Sequence, residues 1–390
     1  MKNIYKFSFI IFSFALASSF LISTFAIDLK LKNFNEILIG FSLSFFGLGV
    51  VIASLIHNLI RERFNLYFTL LSSIIIQLLF ILLIFFQFKI ITIVIITFIL
   101  GITNHINFLT IETYISTNFK KKSGFYISLF WSSAGLGAIL GSLIIAINGV
   151  NLISYYIALI LIIFQFIPVL IAKLNVMNIK IEIVKFSLSF EVIKNIRFIL
   201  LCVFLLGLSD AGWSSLFPAF LIEKGFVDKD IGQINFFAGS IALIIYPLVG
   251  KLIDKFNKIK ILNSFISLSI IGLGIFYFFE NYYIIIFLTS LFYLSIGSIF
   301  LINFNIINSN LKNNLIVFGV ASYSISENIG SFLGPNIIGG LISYEINYFL
   351  FIFIFVFLLI FLIFNFFAKK VNGGLSGTLT PDHPVMSGAL

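Results

Sequence analysis

The sequence predicts an all-α membrane protein whose twelve transmembrane helices form two pseudo-symmetric six-helix bundles. The first observation is composition: 60% of the residues are hydrophobic, and the mean hydropathy of +1.16 lies far above that of soluble domains. The second is that apolar stretches of about 20 residues, the length that spans a bilayer, recur along nearly the whole chain. The third is that short motifs of the first half return in the second half.

The predicted spans leave almost no length for a soluble domain. The first span lacks an A-x-A-like cleavage site and is longer than a signal-peptide core, so we expect it to be retained. The spans cover residues 4–27, 37–60, 66–87, 90–111, 125–147, 152–172, 198–222, 231–250, 261–279, 283–307, 315–343 and 348–368.

The distribution of lysine and arginine predicts the orientation of the chain. Most of the 24 basic residues fall in segments that would face the cytoplasm if the N-terminus does, including a run of three lysines at 120–122. By the positive-inside rule both termini are cytoplasmic, in a plasma or inner membrane. The net charge of +9 is therefore a topology signal, and we expect no nucleic-acid partner.

The longest polar interruption, residues 173–197, divides the chain. It predicts an N-terminal bundle (1–172), a cytoplasmic linker (173–197) and a C-terminal bundle (198–370). In the tail, 371–390, residues 373–390 lack the isoleucine, phenylalanine, lysine and asparagine that dominate the rest, so we expect a disordered or appended segment. Cys202 is the only cysteine, which excludes an internal disulfide and a multi-cysteine metal site. We expect no cofactor.

Two internal matches support the division into halves. Residues 53–61 align with residues 250–258 at a separation of 197, and glycines at positions 137 and 141 match glycines at 330 and 334 at a separation of 193. Small residues four apart let helices approach closely. We therefore expect both glycine pairs to lie in helix contacts.

The stretch GKLIDKFNKIK (250–260) collects four lysines and an aspartate after a glycine. A carboxylate at a helix end can contact the positive N-terminus of a neighbouring helix, while lysines anchor to lipid headgroups. In the first half ASLIHNLIRER (53–63) occupies the same place, with His57 where the second half has Asp254. A plain tight turn with lipid anchors is the alternative.

These residues resemble the loop signature of the major facilitator superfamily, G-x-L-x-D-[RK]-x-G-[RK]-[RK], which joins the second and third helices of each half. Asn257 replaces the second glycine of the signature. The stretch GSFLGPNIIGG (330–340) resembles a second element of that superfamily. The resemblance implies a secondary transporter in which the loop latches the cytoplasmic side closed. The gating residues it implies are Gly250, Asp254, Lys258, His57 and Arg61.

Three ionisable side chains fall in the interiors of predicted spans: Asp210, Glu327 and His105. Charges inside a bilayer are expensive, so each is a functional candidate. A carboxylate removed from water binds its proton more tightly, which favours these groups as carriers of a coupling proton. Hydrogen bonding to a neighbouring helix is the structural alternative. No lysine or arginine occupies a span interior, so the cavity suits protons, cations or neutral solutes better than anions.

Amide and aromatic side chains near these groups are candidates for binding a solute, by hydrogen bonding or stacking. Most aromatic residues in such a chain face lipid or pack in the core, and that alternative applies to each candidate. The predicted substrate-binding residues are Trp213, Tyr323, Asn303 and Asn104.

The sequence thus predicts a secondary active transporter, and not an enzyme, that moves a small neutral or cationic organic solute by alternating access. Its partners would be the solute, protons and the bilayer, and we expect a monomer. Proton-coupled symport is favoured, because the fifth span lacks the Gly-Pro form usual in drug-proton antiporters of the superfamily. The alternative is a proton-coupled antiporter that exports lipophilic or cationic compounds. A non-transporting sensor and a membrane-embedded enzyme are the other classes; a primary pump is unsupported, because no G-x-x-x-x-G-K-[ST] loop occurs.

Overall fold

The computed structural model describes residues 2–86, 89–118, 123–172, 186–255, 257–278, 281–310, 313–345 and 348–374. Within these residues every regular element is an α-helix. The helices are α1 (Lys2–Leu31), α2 (Glu36–Arg63), α3 (Leu66–Ile81), α4 (Leu83–Phe86), α5 (Ile90–Asn118), α6 (Ser123–Asn148), α7 (Leu152–Phe164), α8 (Phe166–Ala172), α9 (Phe186–Glu223), α10 (Asp228–Lys255), α11 (Lys258–Phe278), α12 (Tyr282–Asn310), α13 (Asn313–Ile342) and α14 (Tyr348–Gly374).

These helices make twelve spans, because α3 with α4 and α7 with α8 each cross as one interrupted unit. Ten spans within the described residues are long and apolar enough to cross a membrane, and α10 and α13, of 28 and 30 residues, complete the set. The interruption before α8 lies at Gln165, three residues ahead of Pro168. A proline removes a backbone donor and crowds the preceding turn, so a helix is interrupted just before it.

The helices pack as two bundles that face each other. In the first half α1 packs on α6 and α2 on α5; in the second half α9 packs on α13 and α10 on α12. Among the described residues, the main packing between the halves is that of α2 with α13, α6 with α10, α1 with α9 and α2 with α9. The predicted twelve-helix architecture of two bundles is confirmed.

The matched glycines form equivalent helix contacts in the two halves. A Cβ on Gly137 would overlap the backbone of Phe12 on α1, and a Cβ on Gly330 would overlap the backbone of Phe204 on α9. These helices are the first and fifth spans of their halves, so the sequence repeat corresponds to a repeated packing contact.

In the part of the chain that the structure describes, five asparagines immediately precede helices. The side-chain oxygen of each accepts a hydrogen bond from a backbone N–H of the first turn, which satisfies a donor that has no partner inside the helix. Asn257, the departure from the loop signature, is one of them: its Oδ1 accepts from Ile259 N at 2.9 Å. The residue that replaces the glycine therefore caps the N-terminus of α11. The capping residues are Asn35, Asn65, Asn151, Asn257 and Asn281.

Helix α9 begins at Phe186, ahead of the predicted start of its span at residue 198. The second part of the predicted linker is thus helical and continuous with the seventh span. Residues 173–185 of that linker lie outside the described part of the chain, as do residues 375–390 of the predicted tail.

Candidate functional site

Asp210 on α9 lies near the middle of the span Ile196–Glu223. The residue is partly exposed, between a fully buried Ser209 and a partly exposed Ala211. Its backbone carbonyl accepts a hydrogen bond from the Ser214 hydroxyl at 2.8 Å. Helix α9 packs against α1 and α13, so Asp210 lies on a helix of the interface between the halves.

Tyr293 on α12 is close enough to Asp210 for the carboxylate to act on its hydroxyl electrostatically. The Tyr293 hydroxyl donates a hydrogen bond to Asn235 Oδ1 on α10 at 2.9 Å. Tyr293 and Asn235 thus join α12 to α10, and these two residues and Asp210 are each partly exposed. Sequence reasoning missed Tyr293 and Asn235. The chain contains 14 tyrosines, and nothing in the local sequence distinguishes this one.

Trp213, one turn beyond Asp210, is only 1% exposed and packs in an aromatic cluster. Its ring lies 3.9 Å from Phe292 and 4.3 Å from Phe217, centroid to centroid, in stacked geometry. Its indole nitrogen is near the Tyr293 hydroxyl but outside hydrogen-bonding geometry. In this conformation the Trp213 ring is enclosed by phenylalanines. Its predicted contact with solute stays a prediction.

His105 on α5 lies at a junction between the two halves. Its Nε2 is 3.3 Å from the Ser324 hydroxyl on α13, and the Asn328 amide donates to the Ser324 carbonyl at 2.7 Å. Glu327, between these two residues, is partly exposed, and its backbone is in close contact with Gly207 on α9. The structure therefore brings His105 to the helix segment that carries Glu327.

Asn104 is next to His105 in sequence but faces another way. Its Oδ1 accepts a hydrogen bond from Gln77 Nε2 on α3 at 3.1 Å, inside the first bundle. One turn along, the Ser73 hydroxyl donates to Asn107 Oδ1 at 3.1 Å. Gln77 Oε1, Asn104 Nδ2 and Asn107 Nδ2 are buried without a hydrogen-bond partner. Asn104 belongs to this polar seam between α3 and α5, and its predicted role in binding stays a prediction.

The remaining predicted binding residues lie near the contact of α12 with α13. Asn303 is fully buried, and neither atom of its amide group has a hydrogen-bond partner. Tyr323 is 7% exposed, and its hydroxyl donates to the Phe300 carbonyl at 3.3 Å. Both side chains face protein in this conformation.

Of the predicted gating side chains, the structure describes His57. It is buried, and its Nε2 lies 3.1 Å from the Thr110 hydroxyl on α5, so it contacts its own half. The side chains of Asp254, Lys258 and Arg61, and the surroundings of Gly250, lie outside the described part of the chain. Among the described residues, no three histidine, cysteine or acidic side chains come together as a metal site.

Comparison with known proteins gives concordant results. The family model described as the Major Facilitator Superfamily matches residues 7–335. The fold is similar to that of the nucleoside transporter NupG, with a TM-score of 0.73 at 12% identity over 95% of this chain and 99% of that one. It is also similar to a bacterial homologue of the human lysosomal transporter Spinster in an inward-facing, unoccupied conformation, with a TM-score of 0.74 at 10% identity over 97% and 98% of the two chains. The sequence matches none of the curated proteins with which it was compared.

Proposed function

Because the chain belongs to the Major Facilitator Superfamily and is a multi-pass membrane protein of transporter fold, we propose that it moves a small neutral or cationic organic solute by proton-coupled symport. The proposal includes alternating access between the two bundles. It further includes a monomer in a plasma or inner membrane, with both termini in the cytoplasm.

The observation that carries this proposal is the placement of Asp210. Asp210 lies on a helix of the interface between the halves, is partly exposed and has a phenol, Tyr293, within electrostatic reach. A group that must exchange a proton during transport needs both a shielded position and access to water. The candidate site offers oxygen atoms that accept hydrogen bonds, and no lysine or arginine lies in the interior of a span. Such a site favours a solute that carries positive charge or hydrogen-bond donors.

Symport is favoured over export by the absence of a proline from the fifth span of the first half. Helix α6 (Ser123–Asn148) contains no proline, whereas its counterpart α13 contains Pro335. The superfamily's drug-proton antiporters usually carry a Gly-Pro element in the first of these helices.

Two experiments test the proposal in sequence. First, purified protein is screened for solutes that raise its thermal stability, with nucleosides and organic cations in the panel. Second, the best solute is followed into proteoliposomes under an inward proton gradient, for the native chain and for Asp210→Asn. We expect the variant to lose accumulation against a gradient and to retain exchange of labelled for unlabelled solute, because exchange requires no net proton release.

The matched control is Asp230→Asn, which makes the same chemical change in the first turn of α10, outside the span interior. It should accumulate solute normally. Normal accumulation by Asp210→Asn would show that protons are carried elsewhere, or that the transport is not proton-driven.

A further inference from the structure

A charged cluster joins the two halves at the end of the molecule where α1 ends and α2 begins. Lys30 Nζ lies 2.6 Å from Glu36 Oε1 in its own half and also pairs with Glu223 of the other half. The side chains of Lys30 and Glu36 are each 11% exposed, while Glu223 is 46% exposed. A mostly buried lysine thus bridges two carboxylates across the interface.

Lys30 and Glu223 occupy equivalent positions in the two halves. They are 193 residues apart, the separation that relates the two glycine pairs, and each lies at the end of the first span of its half. The approximate twofold relation therefore brings residues of opposite charge together near the axis. Two identical charges at this place would repel each other.

The end of α1 is fixed within its own half, so Lys30 is held in position. Asp28 accepts a hydrogen bond from the Tyr155 hydroxyl on α7 and pairs with Lys32 at 2.9 Å. Because Asp28 is buried, these bonds anchor the last turn of α1 to the first bundle.

A second contact between the halves lies at the same end. Asp228 Oδ2 at the start of α10 accepts a hydrogen bond from Val150 N at 2.6 Å, beyond the end of α6. Close backbone contacts flank both polar contacts: a Cβ on Gly232 would overlap Ala146 of the other half, and a Cβ on Gly339 would lie 2.5 Å from the Glu36 carbonyl oxygen. This end of the interface is therefore closed.

We propose that Lys30, Glu36 and Glu223 form a charged latch that holds this end closed and releases it during transport. These three gating residues lie at the end of the molecule opposite to the loop of residues 250–260. The latch rests on the proposed function, because it requires the two halves to separate during transport. Separation breaks the pair between Lys30 and Glu223, whereas the pair between Lys30 and Glu36 stays within the first half. The buried lysine keeps a partner in both states, which limits the cost of opening.

The test measures the distance between spin labels on the two halves at this end, in purified protein without solute or gradient. Labels are placed on cysteines that replace the exposed residues Lys89 and Tyr283; the native Cys202 is buried. Lys30→Met should raise the ratio of open to closed molecules by roughly tenfold or more, because it leaves two carboxylates facing each other. Glu223→Gln should raise it by about fivefold, as for loss of a half-exposed pair.

Two further variants test whether the change in distance is specific to the pairing of Lys30 with Glu223 or follows from any change of charge at this end. Lys229→Gln removes the charge of an exposed lysine six residues after Glu223 and should leave the distribution unchanged. The double variant Lys30→Glu with Glu223→Lys restores opposite charges and should return the distribution toward that of the native chain. If Lys30→Met does not fold, Glu223→Gln and the charge exchange decide the outcome.

Unchanged distances in Lys30→Met and Glu223→Gln would overturn the latch, as would a charge exchange that opens this end as far as Lys30→Met does. The measurement needs neither a solute nor protons. A failed latch is therefore distinguishable from failed proton coupling, which is read by accumulation in Asp210→Asn.

Discussion

Gly40 offers a steric test of the closed interface that is independent of charge. It lies on α2 where this helix meets α13 of the other half, and a Cβ there would overlap the Pro335 carbonyl oxygen and lie 2.8 Å from its carbon. Carbon atoms in good contact lie about 3.5–4.0 Å apart, so Gly40→Ala must separate the helices by roughly 1 Å. Both partners are backbone atoms, and no side-chain rotation can relieve the overlap.

The cost of the added methyl group falls on the closed state. Overpacking a well-packed contact costs about 1–3 kcal/mol, which corresponds to a roughly 5- to 150-fold shift between two conformations. We expect Gly40→Ala to shift the label distances at the Lys30 end toward the open form by an amount in this range. The assay is the same pair of labels on positions 89 and 283.

A control on the same helix makes the prediction specific. Gly49 faces α5 within its own half, where a Cβ would lie 2.9 Å from Ile102 N. Gly49→Ala should lower the thermal stability of the protein without favouring the open form. If Gly40→Ala and Gly49→Ala gave equal distance distributions, the contact of α2 with α13 would not be specific to the closed conformation, and the reasoning would be refuted.

Three further predictions follow from individual contacts. Asn257→Ala should lower the apparent melting temperature more than Asn257→Gly, because alanine at a helix start costs about 1 kcal/mol and glycine only a few tenths; equal values would show that the cap is unimportant. Tyr293→Phe and Asn235→Leu should each slow proton-driven uptake, and the double variant should lose no more than either alone, since both break one hydrogen bond; losses that multiply would indicate independent roles. His57→Asn should leave the melting temperature within about 2 °C of the native value, because an amide can still bond the Thr110 hydroxyl; a large drop in calorimetry would contradict this.

The positions of the helices along the chain could be predicted from the sequence. The spans follow from where apolar stretches begin and end, and the contacts of the paired glycines follow from the repeat of small residues. The sequence also showed that Asn257 departs from the loop signature. Its role as the N-cap of α11 became clear only from its hydrogen bonds in the structure. Distance along a helix is readable because the bilayer has a fixed thickness.

The direction in which a side chain faces was not readable in the same way. Lipid tails are as apolar as leucine, so the lipid-facing and protein-facing sides of these helices have similar composition. Asn104 and His105 are adjacent in sequence, yet one faces α3 in its own half and the other meets α13. Trp213 was singled out because it lies near Asp210, and its ring is enclosed by phenylalanines. Only the packing distinguishes these cases.

The length of α9 has a mechanical consequence. Its 38 residues make a helix of about 57 Å at 1.5 Å per residue, well beyond the roughly 30 Å of a bilayer's hydrocarbon core. From Phe186 to Asp210 there are about 36 Å of helix, and Pro218, the proline inside α9, comes only after Asp210. The helix is therefore a stiff lever. A displacement near Phe186 would therefore reach Asp210 as a tilt of one continuous helix, with no proline between the two residues.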